Sequence, residues 1–576
     1  MYVAKIPNRN SKPTWLIRES KWINGKSVKT TLANITKLPM EIIEGLRILL
    51  AGGTAVKSVK EAFSIRSNTP HGHVAAVLGM MNQLHLPELI APKNSRFRRL
   101  VLGMIAARVI KPASKLATSA MLDAQTASTT LNEELGLKRV DEDDLYDAMD
   151  QLLKRKTDIE CRLAKRHLKE GSMVLYDVTS SYVEGEKNEW AAYGYNRDKK
   201  KGKKQIVFGL MTDQEGCPVS VEVFRGNTAD TSTLRTQVAK IQKTFGLKQV
   251  VMVGDRGILK QKQIQEEILP VGLDWITAMQ KSEIREVVEQ EGIQMSLFDE
   301  QDLVEVCCDL YPKDRLVLCR NPLQAAKNQQ TREELLVKTE KDLDKIVEAT
   351  QREKYRLKDA GKIGLRVGKV VNKKKMRKYF TLNIREEHFS YTRNEEALQK
   401  AEQLDGLYAI RSSLKQGPEA SELVTHYKRL STVEIAFRTM KSMSLQVRPI
   451  HHRTKNRVVA HVFLCMLAYY VEYHLRRKLA PMLFAEDDPA EKKAQRKSIV
   501  EPAKPSEQAK KKARTKRTAT GEKALSFASL MDELSGLCRL VVVPKIGTDA
   551  TPEVVMIEKI SAIQKRAFKL LNIKLL

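Results

Sequence analysis

The chain has little that would staple or anchor it. Its seven cysteines (Cys161, Cys217, Cys307, Cys308, Cys319, Cys465 and Cys538) include no C-x-x-C pair. An odd count without a framework excludes a disulfide scaffold, argues against structural zinc, and fits a reducing compartment. His71-Gly72-His73 has no partner cysteines, so metal binding there is not expected. The stretch Met1–Pro7 lacks the apolar core of a secretory signal, and a cytoplasmic, nucleoid-associated protein is expected. Long apolar runs are also scarce. The main one, Val458–Leu475, contains His461, Glu472 and His474 and is followed by Arg476-Arg477-Lys478. It reads as a buried core helix, not a membrane span, so no membrane partner is expected. Acids are outnumbered: 70 Asp and Glu face 100 Lys and Arg, for a formal net charge of +30. Such an excess favours a polyanionic partner over a merely soluble basic protein, because each neutralised phosphate releases counterions.

A length of 576 residues implies three or four domains. Residues 1–35 read as a small β-hairpin, with Asn24-Gly25 as a type I′ turn between strands over 14–33. Residues 36–170 read as helical with short breaks. Pro39 opens a helix that Gly52-Gly53 closes, Ser114 opens another, and Asp141–Leu153 has acids at its start and bases after its end. Two readings of this basic array stand side by side: a helix-turn-helix reader of DNA, or a packing and dimerisation region. From 171 the texture becomes strands: Met173–Thr179, Gln205–Thr212, Pro218–Phe224, a run ending at Asp255, and Leu273–Ala278, with helices near Asp230–Phe245 and from Lys260. That order predicts a mixed five-stranded sheet with flanking helices, its first part over 171–280 and its second over 405–485. Residues 281–404 read as an inserted subdomain. It has strand-like pieces at Leu303–Cys308, Leu316–Cys319, Ile363–Val371 and Phe380–Ile384, and a long charged helix near Thr331–Arg356. Residues 486–523, with the dense run Lys510–Arg517, read as a basic disordered linker before a C-terminal segment, 524–576, with a strand at Leu540–Pro544.

Three separated stretches carry the chemistry. Met173–Asp177 and Val250–Asp255 are apolar runs that each end in an aspartate, and Glu434 lies midway along an amphipathic helix over 421–442. Acids at the carboxyl ends of neighbouring strands point into one crevice. Hard divalent ions about 4 Å apart, held by few carboxylates, suit in-line displacement at a phosphodiester. Taken singly, either aspartate could be a turn or cap residue; the combination points to a site. Tyr427, Glu434 and Lys441 are seven apart, so they share one stripe beside the apolar stripe Leu430, Val433, Phe437, Met440. Arg438 lies one turn beyond Glu434; a plain surface ion pair would explain that spacing, but not the Tyr-Glu-Lys register. The run Asn196–Lys204, which includes Arg197, Lys203 and Lys204, is either a grip on a phosphate backbone or a solvated loop. Trp190, Tyr193 and Tyr195 before it would stack on an unpaired base or pack under the hairpin, and packing is the preferred expectation. His451 and His452 are expected to be buried or capping residues.

At this point the residues resemble a family. Tyr427, Glu434 and Lys441 match the Tyr-x2-Arg-x3-Glu-x6-Lys signature of a superfamily of DDE transposases from bacterial insertion sequences. Leu430 holds the arginine position, with Arg429 beside it and Arg438 after Glu434. Leu175–Ser180, Phe224–Asp230, Asp405–Tyr408 and Val447–His452 are further similar features. The resemblance implies an RNase H-like catalytic core with a β-rich insertion before the glutamate helix, and a mainly helical N-terminal DNA-binding region. It implies Asp177, Asp255 and Glu434 as catalytic acids holding two Mg2+ or Mn2+ ions. Tyr427, Arg438, Lys441, Arg197, Lys203 and Lys204 are the DNA-contact candidates. The expected partners are double-stranded DNA, as transposon-end inverted repeats and target DNA, and a second copy of the chain in a homodimer. The expected activity is strand cleavage and transfer, by a cut-and-paste route. The alternatives are a catalytically silent repressor derived from a transposase, and a host nuclease of the same fold.

Overall fold

The computed structural model describes residues 1–9, 11–53, 63–291, 298–299, 302–441, 444–485, 500, 505–545 and 554–574. The chain divides into two compact units. One comprises Met1–His73, Ser128–Thr130 and Glu533–Lys565; the other comprises Val74–Ala127, Leu131–Asp532 and Arg566–Leu576.

The first unit begins with an antiparallel sheet of β1 (Tyr2–Ile6), β2 (Thr14–Ile23) and β3 (Lys26–Asn34). Asn24 and Gly25 join β2 to β3 with φ of 50° and 74°, the pair of positive values that a type I′ turn demands. Further on, a strand interrupts the stretch read as helical, β4 (Phe63–Pro70). Its partner lies near the other end of the chain, so no local alternation announces it.

The second unit is built on one mixed sheet of eight strands. These are β5 (Met173–Tyr182), β6 (Gln205–Thr212), β7 (Pro218–Phe224), β8 (Val251–Gly254), β9 (Asp274–Ala278), β10 (Leu303–Val306) and β11 (Arg315–Arg320), then, after the separate hairpin of β12 (Phe380–Arg385) and β13 (His388–Arg393), β14 (Leu407–Ser412). Their order is β10-β11-β14-β9-β8-β5-β6-β7. β5 and β8 run parallel, as do β8 and β9; every other pair in this sheet is antiparallel. β6 and β8 are buried along their whole length, which is why they read as unbroken apolar runs. The five expected strands are β5–β9. The sheet exceeds that number because β14, β11 and β10 extend its β9 edge, through pairings that span the insertion and have no local signature.

The Lys455–Leu479 helix is buried without a break from Val458 to Glu472. By length and composition it could cross a membrane, yet 89% of its apolar window is buried inside the fold. It packs against β7 and the helices Arg96–Ile110 and Glu142–Lys154. The second of these starts at Asp141 with a capping box, as its acidic start implied. Arg96–Ile110 is buried from Leu100 to Val109, an enclosed element and not one presented to a groove.

Three expectations need correction. Ile363–Val371 is not a strand but part of the Ala360–Lys373 helix. The spacing of four between Ile363, Val367 and Val371 puts them on one buried stripe, and Asp359 caps the helix through Lys362 N at 2.6 Å. The insertion is not β-rich: that helix, the 30-residue helix Pro322–Gln351 and the β12–β13 hairpin share a core around Leu336, Leu343, Val367, Phe380 and Phe389. The basic linker is not a solvated tether throughout. Residues 486–499 and 501–504 lie outside the described residues, but Glu507–Thr515 is helical. There the buried Lys512 ammonium donates to the carbonyls of Leu483 at 3.0 Å and Ala485 at 3.2 Å, satisfying groups that the preceding helical segment leaves open. In the first unit, β15 (Cys538–Pro544) lies between β4 and β16 (Val554–Ile557).

Candidate active site

The parallel register of β5 and β8 brings two acids together. Tyr176 pairs with Gly254, so the next residues, Asp177 and Asp255, sit at one level on strands about 4.8 Å apart. Asp255 is both turn residue and candidate ligand. Its Oδ1 accepts from the backbone N–H groups of Gly257 at 2.9 Å and Ile258 at 3.0 Å, while Oδ2 takes part in no hydrogen bond among the described residues. Asp177 Oδ1 accepts from Val178 N at 2.7 Å.

The third acid comes from a helix that departs from expectation. The 421–442 stretch is two helices, Ala420–Lys428 and Leu430–Lys441, separated by a turn at Arg429. Ser431 Oγ donates to Lys428 O at 2.8 Å and Thr432 Oγ1 to Arg429 O at 2.7 Å, side-chain bonds that compete with the helical ladder. Beyond the break, Leu430, Val433, Ala436, Phe437 and Met440 are buried, and Phe437 meets Phe208 of β6 edge-on at 5.6 Å. Glu434 and Arg438 lie on the exposed side, and neither is ion-paired among the described residues.

Electrostatics binds these acids into one cluster. Burial first, and Asp255 next, push the Asp177 carboxyl up to about 7; Glu434 adds to the push, while the Val178 N–H and Arg197 oppose it. Tyr427, on the far side of the helix break, feels the same group. Burial pushes its hydroxyl up to about 12, with further upward pushes from Asp255, Asp177 and Glu434. Like charges crowd a half-buried crevice that holds too little positive charge to balance them.

The other candidates divide by what they touch. Lys441 is not free to meet a ligand with its full charge: its ammonium is 2.6 Å from Asp198 Oδ1 and 3.0 Å from Thr179 Oγ1. Arg448 binds the same Asp198 oxygen, and Tyr182 N donates to the other at 3.1 Å. Asp198, the one acid in the basic run, thus pins that loop to β5 and to the end of the Glu434 helix. Sequence reasoning missed it because five lysines and an arginine surround it. Arg197 pairs with Asp230, and its guanidinium lies 5.6 Å from the Tyr195 ring. Lys203 pairs with Glu184 at 2.7 Å, and the Lys204 ammonium lies 5.9 Å from the Tyr193 ring. The preferred packing role of the aromatics fails for Tyr193 and Tyr195, which are 66% and 81% exposed on a cavity that reaches Gly257, two residues beyond Asp255. Trp190 is half-buried, with the Lys455 ammonium 4.7 Å from its ring.

A second feature was not foreseen. A cavity of about 730 Å3 is lined by Arg108, Lys115, Arg448, Arg453 and Arg457 together with His451, His452 and His461. Arg108 and Lys115 are buried, and neither is hydrogen-bonded or ion-paired to a carboxylate among the described residues. Burial, then Arg108, push the Lys115 ammonium down to about 7. Burial, then Lys115, push His452 down to about 3. The cavity also receives the start of the Lys455–Leu479 helix, whose Thr454 cap makes no side-chain bond. Buried cations at a helix N-terminus suit an anion. Of the histidines, His461 is buried, His452 is half-buried and His451 is exposed, so the expected burial fails for His451; all three belong to this lining.

No curated protein matches the chain. Among solved structures, a piggyBac transposase synaptic complex with hairpin DNA, determined by cryo-EM, matches at 10% identity and a TM-score of 0.35, over 81% of this chain and 76% of that one; a likeness that low supports no argument. The family described as "Transposase DDE domain" matches residues 169–471, more than half of the chain, and spans all three acids and both carrier strands. The chain belongs to the DDE transposase family, whose domain implies an RNase H-like core.

Proposed function

We propose that the chain binds the inverted repeats at the ends of a mobile element, and cleaves and transfers DNA strands at the Asp177, Asp255 and Glu434 cluster by a cut-and-paste route. The observation that carries this reading is the convergence of three carboxyl groups, one of them pushed up to about 7 by burial and by the others. Oxygen donors without a soft ligand among them fit hard divalent cations, Mg2+ or Mn2+. When bound, a pair of such ions supplies activation of the attacking oxygen and stabilisation of the leaving oxygen. The protein's own part is to hold and orient. Asp177 from within β5 and Asp255 from the turn after β8 would supply two of the ligands, with Asp255 Oδ1 tied by the turn and Oδ2 left to bind the ion. Glu434 closes the set from its helix. Arg438, on the exposed face one turn later, meets backbone phosphate, while Lys441 positions the loop through Asp198. The cation-lined cavity, joined to that loop through Arg448, takes a phosphate of the bound end. Water attacks the phosphodiester at the element's end, and the freed 3′-hydroxyl attacks a second phosphodiester by the same displacement. Two ends need two such sites, so the working form is a homodimer. The seven free thiols of each chain support action in the cytoplasm, on nucleoid DNA.

Asp177→Asn, Asp255→Asn and Glu434→Gln are each expected to abolish cleavage of a duplex carrying the element's end in Mg2+, with end binding in a gel-shift assay kept within a few-fold. Normal cleavage by all three variants would end the proposal. Binding lost together with cleavage would move the acids into a structural role.

A further inference from the structure

Away from the acid cluster, three distant segments bring one thiol and two imidazoles together. His167 is the last residue of the Lys156–His167 helix, Cys217 lies just before β7, and His474 is near the end of the Lys455–Leu479 helix. Cys217 Sγ is 3.9 Å from His167 Nε2 and 3.8 Å from His474 Nε2, and one donor atom from each of the three lies within 4.8 Å of the others. Tetrahedral zinc, with bonds of about 2.3 Å to sulfur and 2.0–2.1 Å to nitrogen, holds S and N about 3.6 Å apart. The two thiol–imidazole distances exceed this by a few tenths of an ångström, and the two imidazoles need a larger closing movement, of the size that side-chain rotation supplies.

The surroundings match those of a ligated site. Asp213 Oδ2 is 3.8 Å from His167 Nδ1, on the side where a carboxylate commonly orients a ligating histidine. Asp213 Oδ1 accepts from the backbone N–H of Cys217 and of Glu215, each at 2.9 Å, so the same acid shapes the turn that carries the thiol. Of the nearby cations, Arg477 is tied to Glu215 at 2.7 Å and Arg166 to the Leu84 carbonyl at 2.6 Å. An ion would displace the Tyr470 hydroxyl, 3.0 Å from His167 Nε2, and replace the direct thiol–imidazole contacts.

We propose that His167, Cys217 and His474 bind one zinc-class transition-metal ion, with a fourth position open to water, and that this ion clasps the β6–β7 turn to the two helices that carry the histidines. The thiol proton leaves to solvent as the sulfur becomes a thiolate ligand; no oxidation is involved. Thiolate and imidazole select a softer ion than the carboxylate cluster does. The absence of a C-x-x-C pair had argued against structural zinc. Here each ligand comes from a different segment, so no spacing motif exists to be found.

The test uses the full chain carrying Asp177→Asn and Asp255→Asn, so that the acid cluster does not compete. Stripped of metal and titrated with Co2+, it should develop a thiolate-to-cobalt charge-transfer band that saturates at one equivalent. Zn2+ should bleach the band and raise the melting temperature. Adding Cys217→Ser should remove the band and the bound zinc, whereas Cys161→Ser should leave both. Cys217→His keeps a donor, so it should restore bound metal without the band, and it reads the site even if Cys217→Ser fails to fold. The proposal is overturned by a folded parent protein that shows no charge-transfer band in excess Co2+, or by a band that survives Cys217→Ser.

Discussion

The acid cluster and the cation-lined cavity are opposite halves of one electrostatic problem. Asp177 in β5, Asp255 after β8 and Glu434 on its helix share a crevice, where burial first and the other two acids next lift the Asp177 carboxyl to about 7. In the cavity, Arg108 and Lys115 are buried without a carboxylate partner among the described residues, and burial first, then Arg108, lower the Lys115 ammonium to about 7. Each half is incomplete, one lacking positive charge and the other negative. The Lys441–Asp198–Arg448 cluster between them is complete, with both cations on one buried acid. Charge imbalance in a folded protein costs stability, so where it persists it marks a place kept for a ligand.

The sharpest way to break this contrast is to unbalance the complete cluster. Asp198→Ala leaves two cations facing each other around an empty acid position and should cost about 3–5 kcal/mol in denaturant unfolding, the usual penalty for removing one partner of a buried pair. A loss near zero would make the cluster an ordinary surface contact. A smaller effect, of opposite sign, is expected in the incomplete halves. Asp177 binds a proton more tightly folded than unfolded. The stability it contributes is therefore present below the ordinary carboxylate range and lost as pH rises through about 7. Without divalent ions, Asp177→Asn should melt a few degrees above the parent at pH 8, with the gap closing toward pH 4; Mg2+ should stabilise only the parent.

Lys115→Met sharpens the other side. Its folded-state value is lowered, so the neutral side chain is the one that folding favours, and the variant should be no less stable at neutral pH. Binding to an end duplex should weaken about tenfold, and the slope of log affinity against log salt should fall by about one. An unchanged slope would empty the cavity of its phosphate. The smallest effect is expected at the exposed Lys203–Glu184 pair, where Glu184→Gln should change stability by less than about 1 kcal/mol.

How far the sequence could be read follows the range of the interactions involved. β5–β9 were legible because each is a short apolar run bounded by turns, and the position of Asp255 just past β8 was legible with them; Asp177, expected at a strand end, lies in the middle of β5, which runs on to Tyr182 by pairing with β6. The register of these strands was not legible, since it is set by pairing between strands far apart in the chain. β10, β11 and β14 join the same sheet across a helical insertion, again without a local sign. At Ile363–Val371, β-branched composition outweighed a spacing of four that belonged to a helix. Across 421–442 the helical period was right, but Ser431 and Thr432 break the ladder next to Arg429. Tyr427 still reaches the acids, by a different path from the single stripe expected. The cavity draws its cations from 108–115 and 448–457, and no pattern within either stretch announces the other.

The central claim is that three carboxyl groups hold a common metal centre, and iron-directed cleavage of the polypeptide tests it most directly. With Fe2+ in place of Mg2+, ascorbate and peroxide generate radicals that cut the chain only near bound iron. The account predicts cuts in three stretches, around Asp177, Asp255 and Glu434, all quenched by excess Mg2+ and all lost together in Asp255→Asn. Only one or two of those stretches being cut, or cuts around Asp177 or Glu434 that persist in Asp255→Asn, would contradict it; cuts confined to the His167, Cys217 and His474 segments belong to the other site.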